Sequence, residues 1–171
     1  MINYTEKGIG LHKAIQEAGH SLSQVDGEWV SSDDDAVQAI IDSFDPKGYL
    51  LPIYADEVNT AAGKARVRYS TNIPFQEASY QLKEAEVYRY RDAGYPEDLS
   101  AYPFTYAESD ATGQTPREAA DSIIALSQQW ALLLSEIERL RRKAIVLMES
   151  ETDWQNLKLI RDEYVTALES I

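Results

Sequence analysis

Histidines and acidic residues are the first candidates for catalysis or metal binding in this sequence, and their spacing indicates whether they could act together. The chain has two histidines, His12 and His20. They are eight positions apart, whereas paired metal ligands on one helix are three or four apart, so we expect surface or structural roles for both. The run Asp33-Asp34-Asp35 lacks the alternating ligands and the glycine of a calcium loop. Capping of a helix is the simpler interpretation of this run.

Paired glutamates are the other candidates for acid–base chemistry. Glu84 and Glu86 are two positions apart, as are Glu136 and Glu138, and on a helix this spacing directs the side chains to different faces. GxGxxG, GxxxxGK[ST] and GxSxG motifs are absent, and there is no cysteine for a disulfide scaffold or a thiolate zinc site. We therefore predict no catalytic residue, no cofactor-binding residue, no metal ligand and no enzymatic activity.

The charge of the chain excludes several classes of partner. The net charge is −13, which repels phosphate backbones and anionic membranes. No apolar run approaches 18 residues, and the first 19 residues lack the apolar core of a secretory signal. We expect no nucleic-acid partner and no membrane insertion.

The negative charge is concentrated near the N-terminus. Residues 1–45 contain nine acidic residues and two lysines, a net charge of −7. A solvated acidic face and a docking module for a basic partner both explain this excess, and the second would mainly speed association.

The patterning of residues 1–46 predicts a small α-β-β-α module. Apolar residues at helical spacing precede Gly19, a typical helix stop, and Asp26-Gly27 is a strong hairpin signal. Ser32 or Asp33 is expected to cap a second helix that ends near Phe44. A linker is predicted to follow at Lys47-Gly48.

Residues 50–171 are predicted to form a helical bundle. One helix is expected from Pro52 to Tyr69, and a second from Phe75 to Tyr88 with a stop at Gly94. The interruption at residues 71–74 is either a kink in one helix or a break between two. A loop then leads to a short helix over residues 103–112.

A long helix is predicted to begin at Thr115, which forms a capping box with Glu118, and to continue to about Glu149. Thr152 is expected to cap a final helix that returns as an antiparallel hairpin. The apolar residues of the long helix follow a heptad pattern typical of coiled-coil packing: Ile123, Trp130, Ile137 and Ala144 at one position, and Leu126, Leu133, Leu140 and Leu147 at the other. The predicted fold class is therefore mainly α (α+β), with the module followed by a bundle that contains this coiled-coil-like helix.

Aromatic and apolar residues are the candidates for contact with other proteins. Tyrosines are frequent in the predicted loop, and amphipathic rings are enriched at interfaces, although packing of the loop onto the bundle explains them as well. The candidate interface residues are Trp29, Tyr95, Tyr102, Tyr106, Trp130 and Leu134.

Two stretches resemble short proteins encoded with the tail-fibre genes of tailed bacteriophages. Residues 1–45 end in SSDDDAVQAIIDSFD, and residues 65–124 contain TNIPFQEASY and AESDATGQTPREAAD. The resemblance implies a virion tail component or a tail-fibre assembly factor, made in the host cytoplasm. It brings no active-site motif.

The leading hypothesis is a non-enzymatic tail structural protein of a tail fibre, baseplate or tail tip, which contacts other phage tail proteins. Tail parts are symmetric, so a homo-oligomer of trimeric or hexameric symmetry is expected. The alternatives are a tail-fibre assembly chaperone that the virion does not retain, and a small acidic inhibitor or adaptor of host proteins. An enzyme would instead require a carboxylate or histidine pair in a pocket.

Overall fold

Helices form most of the structure, as the apolar periodicity predicts. The computed structural model describes residues 2–69 and 76–171. The predicted kink or break at residues 71–74 lies outside these ranges. In chain order the described elements are α1 (Ile9–Glu17), β1 (Leu22–Val25), β2 (Glu28–Ser31), α2 (Asp34–Ser43), α3 (Pro46–Arg68), α4 (Gln76–Asp92), α5 (Pro103–Thr112), α6 (Pro116–Ser150) and α7 (Asn156–Ser170).

Contacts divide the chain into two units. The first comprises the residues up to Ala62 together with Leu140–Ile171, and the second comprises Gly63–Arg139. Helices α3 and α6 each contribute residues to both units. The boundary predicted between residues 46 and 50 stays a prediction.

The hairpin of the first unit forms where the sequence predicts it. Asp26 and Gly27 have φ angles of 51° and 89°. A two-residue turn with two positive φ angles matches the right-handed twist of the strands it joins, and Gly adopts this conformation without a steric cost. The strands β1 and β2 pair antiparallel, with Gln24 opposite Trp29.

Local capping defines the ends of α1 and α2. The Asp33 carboxylate accepts a hydrogen bond from Ala36 N–H at 3.1 Å, so Asp33 rather than Ser32 caps α2. After α1, Gly19 has a φ of 83°, and His20 N–H donates to Ile15 O at 3.0 Å. The two helices enclose a core that the hairpin also contacts: Ile2, Leu11, Ile15, Val37 and Ile41 are buried, and Tyr4, Leu22, Trp29, Ile40 and Phe44 pack against them.

The predicted linker at Lys47-Gly48 is wrong, because these residues lie in the first turn of α3. Asp45 caps that turn by accepting from Lys47 N–H at 3.0 Å. Pro46 occupies the first helical position, where its missing donor is not needed. The predicted helix start at Pro52 is also wrong, because α3 has already begun at Pro46. The helix continues through Pro52, where proline lacks the N–H for one backbone hydrogen bond.

The C-terminal end of α6 is fixed by a lysine of α3. Lys47 Nζ donates to the carbonyl oxygens of Glu149 at 2.7 Å and Glu151 at 2.6 Å. A cation is favoured there by the partial negative charge of a helix C-terminus. Further along α3, Glu57 forms an ion pair with Arg161 of α7 at 2.7 Å.

Thr152 does not cap α7, which begins four residues later at Asn156. Glu151 accepts hydrogen bonds from the N–H groups of Thr152 and Asp153, and Asp153 accepts from Gln155 N–H. The carboxylates of Glu151 and Asp153 therefore accept the hydrogen bonds of this turn, as short acidic side chains commonly do outside helices.

In the second unit, the capping box at the start of α6 is confirmed. Thr115 N–H donates to the Glu118 carboxylate at 2.9 Å, and Glu118 N–H donates to Thr115 Oγ1 at 3.3 Å. At the end of α4, Gly94 has a φ of 82°, and Tyr95 N–H reaches back to Tyr90 O at 3.0 Å. These bonds make a Schellman end, which directs the loop back toward α4.

The heptad seam of α6 is only partly covered. Ile137 and Ala144 are fully buried, whereas Leu126 is 52% exposed and Leu147 is 37% exposed. The seam therefore packs at two of its positions and meets solvent at two others. Among the described residues, no helix combines the length and hydropathy needed to cross a membrane.

Candidate functional site

Trp29 lies in an aromatic cluster on the inner face of the hairpin. Its ring stacks on Tyr4 with centroids 4.0 Å apart and planes 20° apart, and the His12 ring lies 5.8 Å away. The Tyr4 hydroxyl donates to the Glu6 carboxylate at 3.1 Å. Burial first, and this carboxylate second, raise the pKa of Tyr4. We call Tyr4, His12 and Trp29 the hairpin cluster.

Tyr95 and Tyr102 come together in the second unit around Tyr90, which is 3% exposed. Tyr90 meets the other two rings nearly edge to face, with centroids 5.4 Å from Tyr95 and 5.0 Å from Tyr102. This geometry is favoured by the ring quadrupoles. We call these three residues the tyrosine cluster. Tyr106, which was predicted with them, is 58% exposed.

One arginine and one carboxylate contact the tyrosine cluster through Tyr95. The Arg117 guanidinium lies 4.7 Å from the centroid of Tyr95. The Tyr95 hydroxyl donates to Asp121 Oδ1 at 2.6 Å, and this bond is the main cause of a raised Tyr95 pKa. Tyr95, Pro96, Pro116 and Arg117 line a shallow depression of about 430 Å³. Its open shape and mixed lining fit contact with a surface side chain better than enclosure of a small molecule.

Glu86 is a site residue that the sequence analysis did not select. It is 4% exposed, and its Oε1 accepts from Thr105 N–H at 2.8 Å and from Thr105 Oγ1 at 3.1 Å. Thr105 lies in the first turn of α5, whose N-cap residue Tyr102 makes no side-chain cap. Glu86 of α4 therefore caps α5 through a tertiary contact, with its charge at the positive end of the helix. The sequence signal for this contact was the lack of a capping side chain at Tyr102, because a helix start without a local cap needs an acceptor from elsewhere in the chain.

Trp130 and Leu134 lie in a stretch of α6 in which none of the described residues is buried. Trp130 is partly buried and meets the Tyr69 ring edge to face at 6.0 Å, and Leu134 is 41% exposed. No residue between positions 125 and 136 is buried, although this stretch also contains Leu126 and Leu132, which are 52% and 74% exposed. We call residues 125–136 the open stretch of α6.

The structure thus distributes the six predicted interface residues over several places. Two belong to the tyrosine cluster, one to the hairpin cluster and two to the open stretch, and Tyr106 stands exposed on α5. Whether they contact other proteins stays a prediction. The described residues contain no group of three or more histidines or carboxylates arranged to hold a metal ion.

In comparisons with known proteins, no protein-family model, no curated protein and no solved structure matches the chain.

Proposed function

We propose that the protein is a non-enzymatic structural component of a bacteriophage tail, in a tail fibre, baseplate or tail tip, and that it acts by contact with other tail proteins. The observation that supports this most directly is the open stretch of α6. Among its described residues, Leu126, Leu132 and Leu134 are exposed and Trp130 is partly buried. Apolar side chains grouped on one helix are typical of protein contact surfaces.

The resemblance of residues 1–45 and 65–124 to tail-associated proteins supplies the phage context of this proposal. In that context the open stretch would contact either a second copy or another tail protein. We propose a homo-oligomer of trimeric or hexameric symmetry, because an apolar helix face that meets its own copies around an axis is covered in every subunit.

A finer division of labour belongs to the same proposal. Residues 1–46 would act as a separate α-β-β-α docking module, and residues 50–171 as the bundle that carries the oligomer contacts, with the coiled-coil-like part of α6 at its centre. The acidic module would select partners by charge, and the bundle would provide apolar area. The mature location would be the virion tail.

Mass spectrometry of purified particles tests the proposal. We expect the chain in the particle at a copy number that is a multiple of three or six. Its presence in infected cells and absence from particles would contradict a structural role. That result would favour an assembly chaperone that acts on the same tail proteins and leaves, the second candidate, since an uncovered apolar helix also suits transient shielding of a subunit. A host-directed inhibitor would instead copurify with a host protein.

A further inference from the structure

Strand β1 has an outer edge that no strand of the described chain covers. The sheet consists of β1 and β2 alone within residues 2–69 and 76–171. Ser32 N–H donates to Ser21 O at 3.1 Å, so these two residues form a hydrogen-bonded pair. Such pairs alternate with non-hydrogen-bonded pairs along an antiparallel ladder. Leu22 and Gln24 therefore direct their backbone N–H and C=O groups away from β2.

The outward face of the same hairpin is apolar. Ser23 lies opposite Val30 and Val25 lies opposite Glu28, so both valines point to the face that is turned away from the core. Val25 is 52% exposed and Val30 is 50% exposed. An open edge beside an exposed β-branched face is a template for an added strand, and proteins commonly protect such edges with lysine or proline. Strand β1 has neither residue.

The sequence on both sides of this hairpin is acidic. Residues 14–46 contain no lysine or arginine. Asp26 and Glu28 flank the turn end of the hairpin, and Asp33 follows β2 at the opposite end. Eight acidic residues fall within this range: Glu17, Asp26, Glu28, Asp33, Asp34, Asp35, Asp42 and Asp45. A segment that approaches β1 therefore meets negative charge at both ends of the strand.

We propose that the outer edge of β1 binds an extended, lysine- or arginine-bearing segment of another protein, which adds to the hairpin as a third strand. Main-chain hydrogen bonds to Leu22 and Gln24 would hold the segment, and its cations would lie near Asp26 and Glu28. A second copy of this hairpin is a poor occupant, because like charges would then face each other. The inference rests on the proposed function as a protein-binding component and names the chemistry of one partner.

The test is a titration of the full-length, ¹⁵N-labelled chain with a capped eight-residue peptide that alternates lysine and threonine. We expect the amide signals of Leu22, Gln24 and Val25 to shift, and the amide hydrogen exchange of Leu22 and Gln24 to slow. A peptide with glutamate in place of lysine should cause no shift. Raising the salt concentration should weaken binding, since the acidic residues are exposed and screened.

Gln24→Pro removes the outward N–H and should weaken peptide binding about tenfold, the size expected for one lost hydrogen bond. Gln24→Ala is the matched control, because it removes the same side-chain bond to Gly27 O but keeps the N–H. If Gln24→Pro disturbs the Trp29 signals, Val25→Lys takes its place. That variant should weaken binding severalfold, whereas Leu159→Lys, which adds the same charge at a 66% exposed position of α7, should not.

Equal binding of the two peptides, unchanged affinity in Gln24→Pro, or shifts confined to Asp33–Asp35 without β1 would overturn the proposed edge. None of these results alters the copy number in purified particles, so the tail proposal and the β1 proposal fail separately.

Discussion

The hairpin cluster and the tyrosine cluster show two ways to hold aromatic side chains in a small protein. In the hairpin cluster, Tyr4 and Trp29 stack face to face over an apolar core, and burial is the main cause of the raised Tyr4 pKa. In the tyrosine cluster the rings meet edge to face, and a hydrogen bond to Asp121 is the main cause of the raised Tyr95 pKa. Burial is thus the first cause of the pKa shift at Tyr4, and a polar partner is the first cause at Tyr95, although the pKa of its neighbour Tyr90 is itself raised mainly by burial.

This difference predicts which substitutions matter most. Around the hairpin cluster, losses should follow the apolar volume removed. Around the tyrosine cluster, losses should follow the hydrogen bonds and charges removed, because Arg117 and Glu86 provide contacts there that no apolar residue replaces.

The largest effect is expected from Leu11→Ala in the core below the hairpin cluster. Leu11 is 0% exposed, and truncation of a fully buried leucine leaves a cavity that costs about 3 kcal/mol of unfolding free energy. Urea unfolding followed by far-ultraviolet circular dichroism measures this loss. Ile9→Ala is the matched control, since Ile9 lies in the same helix but is 80% exposed, and its change should be within about 0.5 kcal/mol. Equal losses in the two variants would contradict a core at this place.

The next effect is expected from Glu86→Ala beside the tyrosine cluster. The substitution leaves Thr105 N–H and Oγ1 buried without this acceptor and should cost about 2 kcal/mol. Glu86→Gln retains an acceptor oxygen of nearly the same shape and should cost about half as much, because only the charge is lost. Hydrogen exchange of the α5 amides separates the two variants. A loss in Glu86→Gln as large as in Glu86→Ala would show that the charge, rather than the bond, stabilises α5.

Sequence patterns predicted the elements whose signals are local. The turn at Asp26-Gly27 and the capping box at Thr115 depend on residues within four positions, so spacing alone was sufficient. The cap of α5 by Glu86 depends on a contact 19 positions away, which no local pattern contains. The helix start predicted at Pro52 was wrong because two prolines near each other both suit a first turn. Pro46, which follows the capping residue Asp45, is the one at the helix start, six positions before Pro52.

The candidate interface residues show the same limit. Aromatic composition selected Tyr95, Tyr102 and Tyr106 together, but it does not show that the first two pack on Tyr90 while Tyr106 is exposed, because exposure depends on which face of α5 meets α4. Tyr90, the buried centre of the cluster, was not selected for the same reason. Whether any of the three selected tyrosines contacts another protein stays a prediction.

A smaller effect is expected for the aromatic contact in the open stretch of α6. Trp130→Ala removes the edge-to-face contact with Tyr69 and should cost about 1–2 kcal/mol of unfolding free energy, since Trp130 is only partly buried. Leu134→Ala should leave stability within about 0.5 kcal/mol, but it should weaken assembly if the open stretch is a contact surface. Thermal melting and sedimentation measure the two properties separately. Unchanged melting and oligomer size in both variants would argue against a role for this stretch.

The smallest effect concerns the titration of the two tyrosines, and it separates the clusters most directly. Asp121→Ala should return the pKa of Tyr95 toward its usual value near 10, because the hydrogen bond to Asp121 is the main cause of the shift. Glu6→Ala should leave the pKa of Tyr4 raised, because burial is the main cause there. Titration of ¹³C-labelled tyrosine rings by NMR measures both values.

Below pH 10 Tyr95 is neutral in the folded and unfolded states, so its stabilising contribution is complete. As the pH rises further, the unfolded state ionises first, and this contribution is lost up to the folded pKa. In Asp121→Ala the loss above pH 10 should shrink. A Tyr95 pKa that stays raised would mean that burial sets the pKa of Tyr95, as it does the pKa values of Tyr4 and Tyr90.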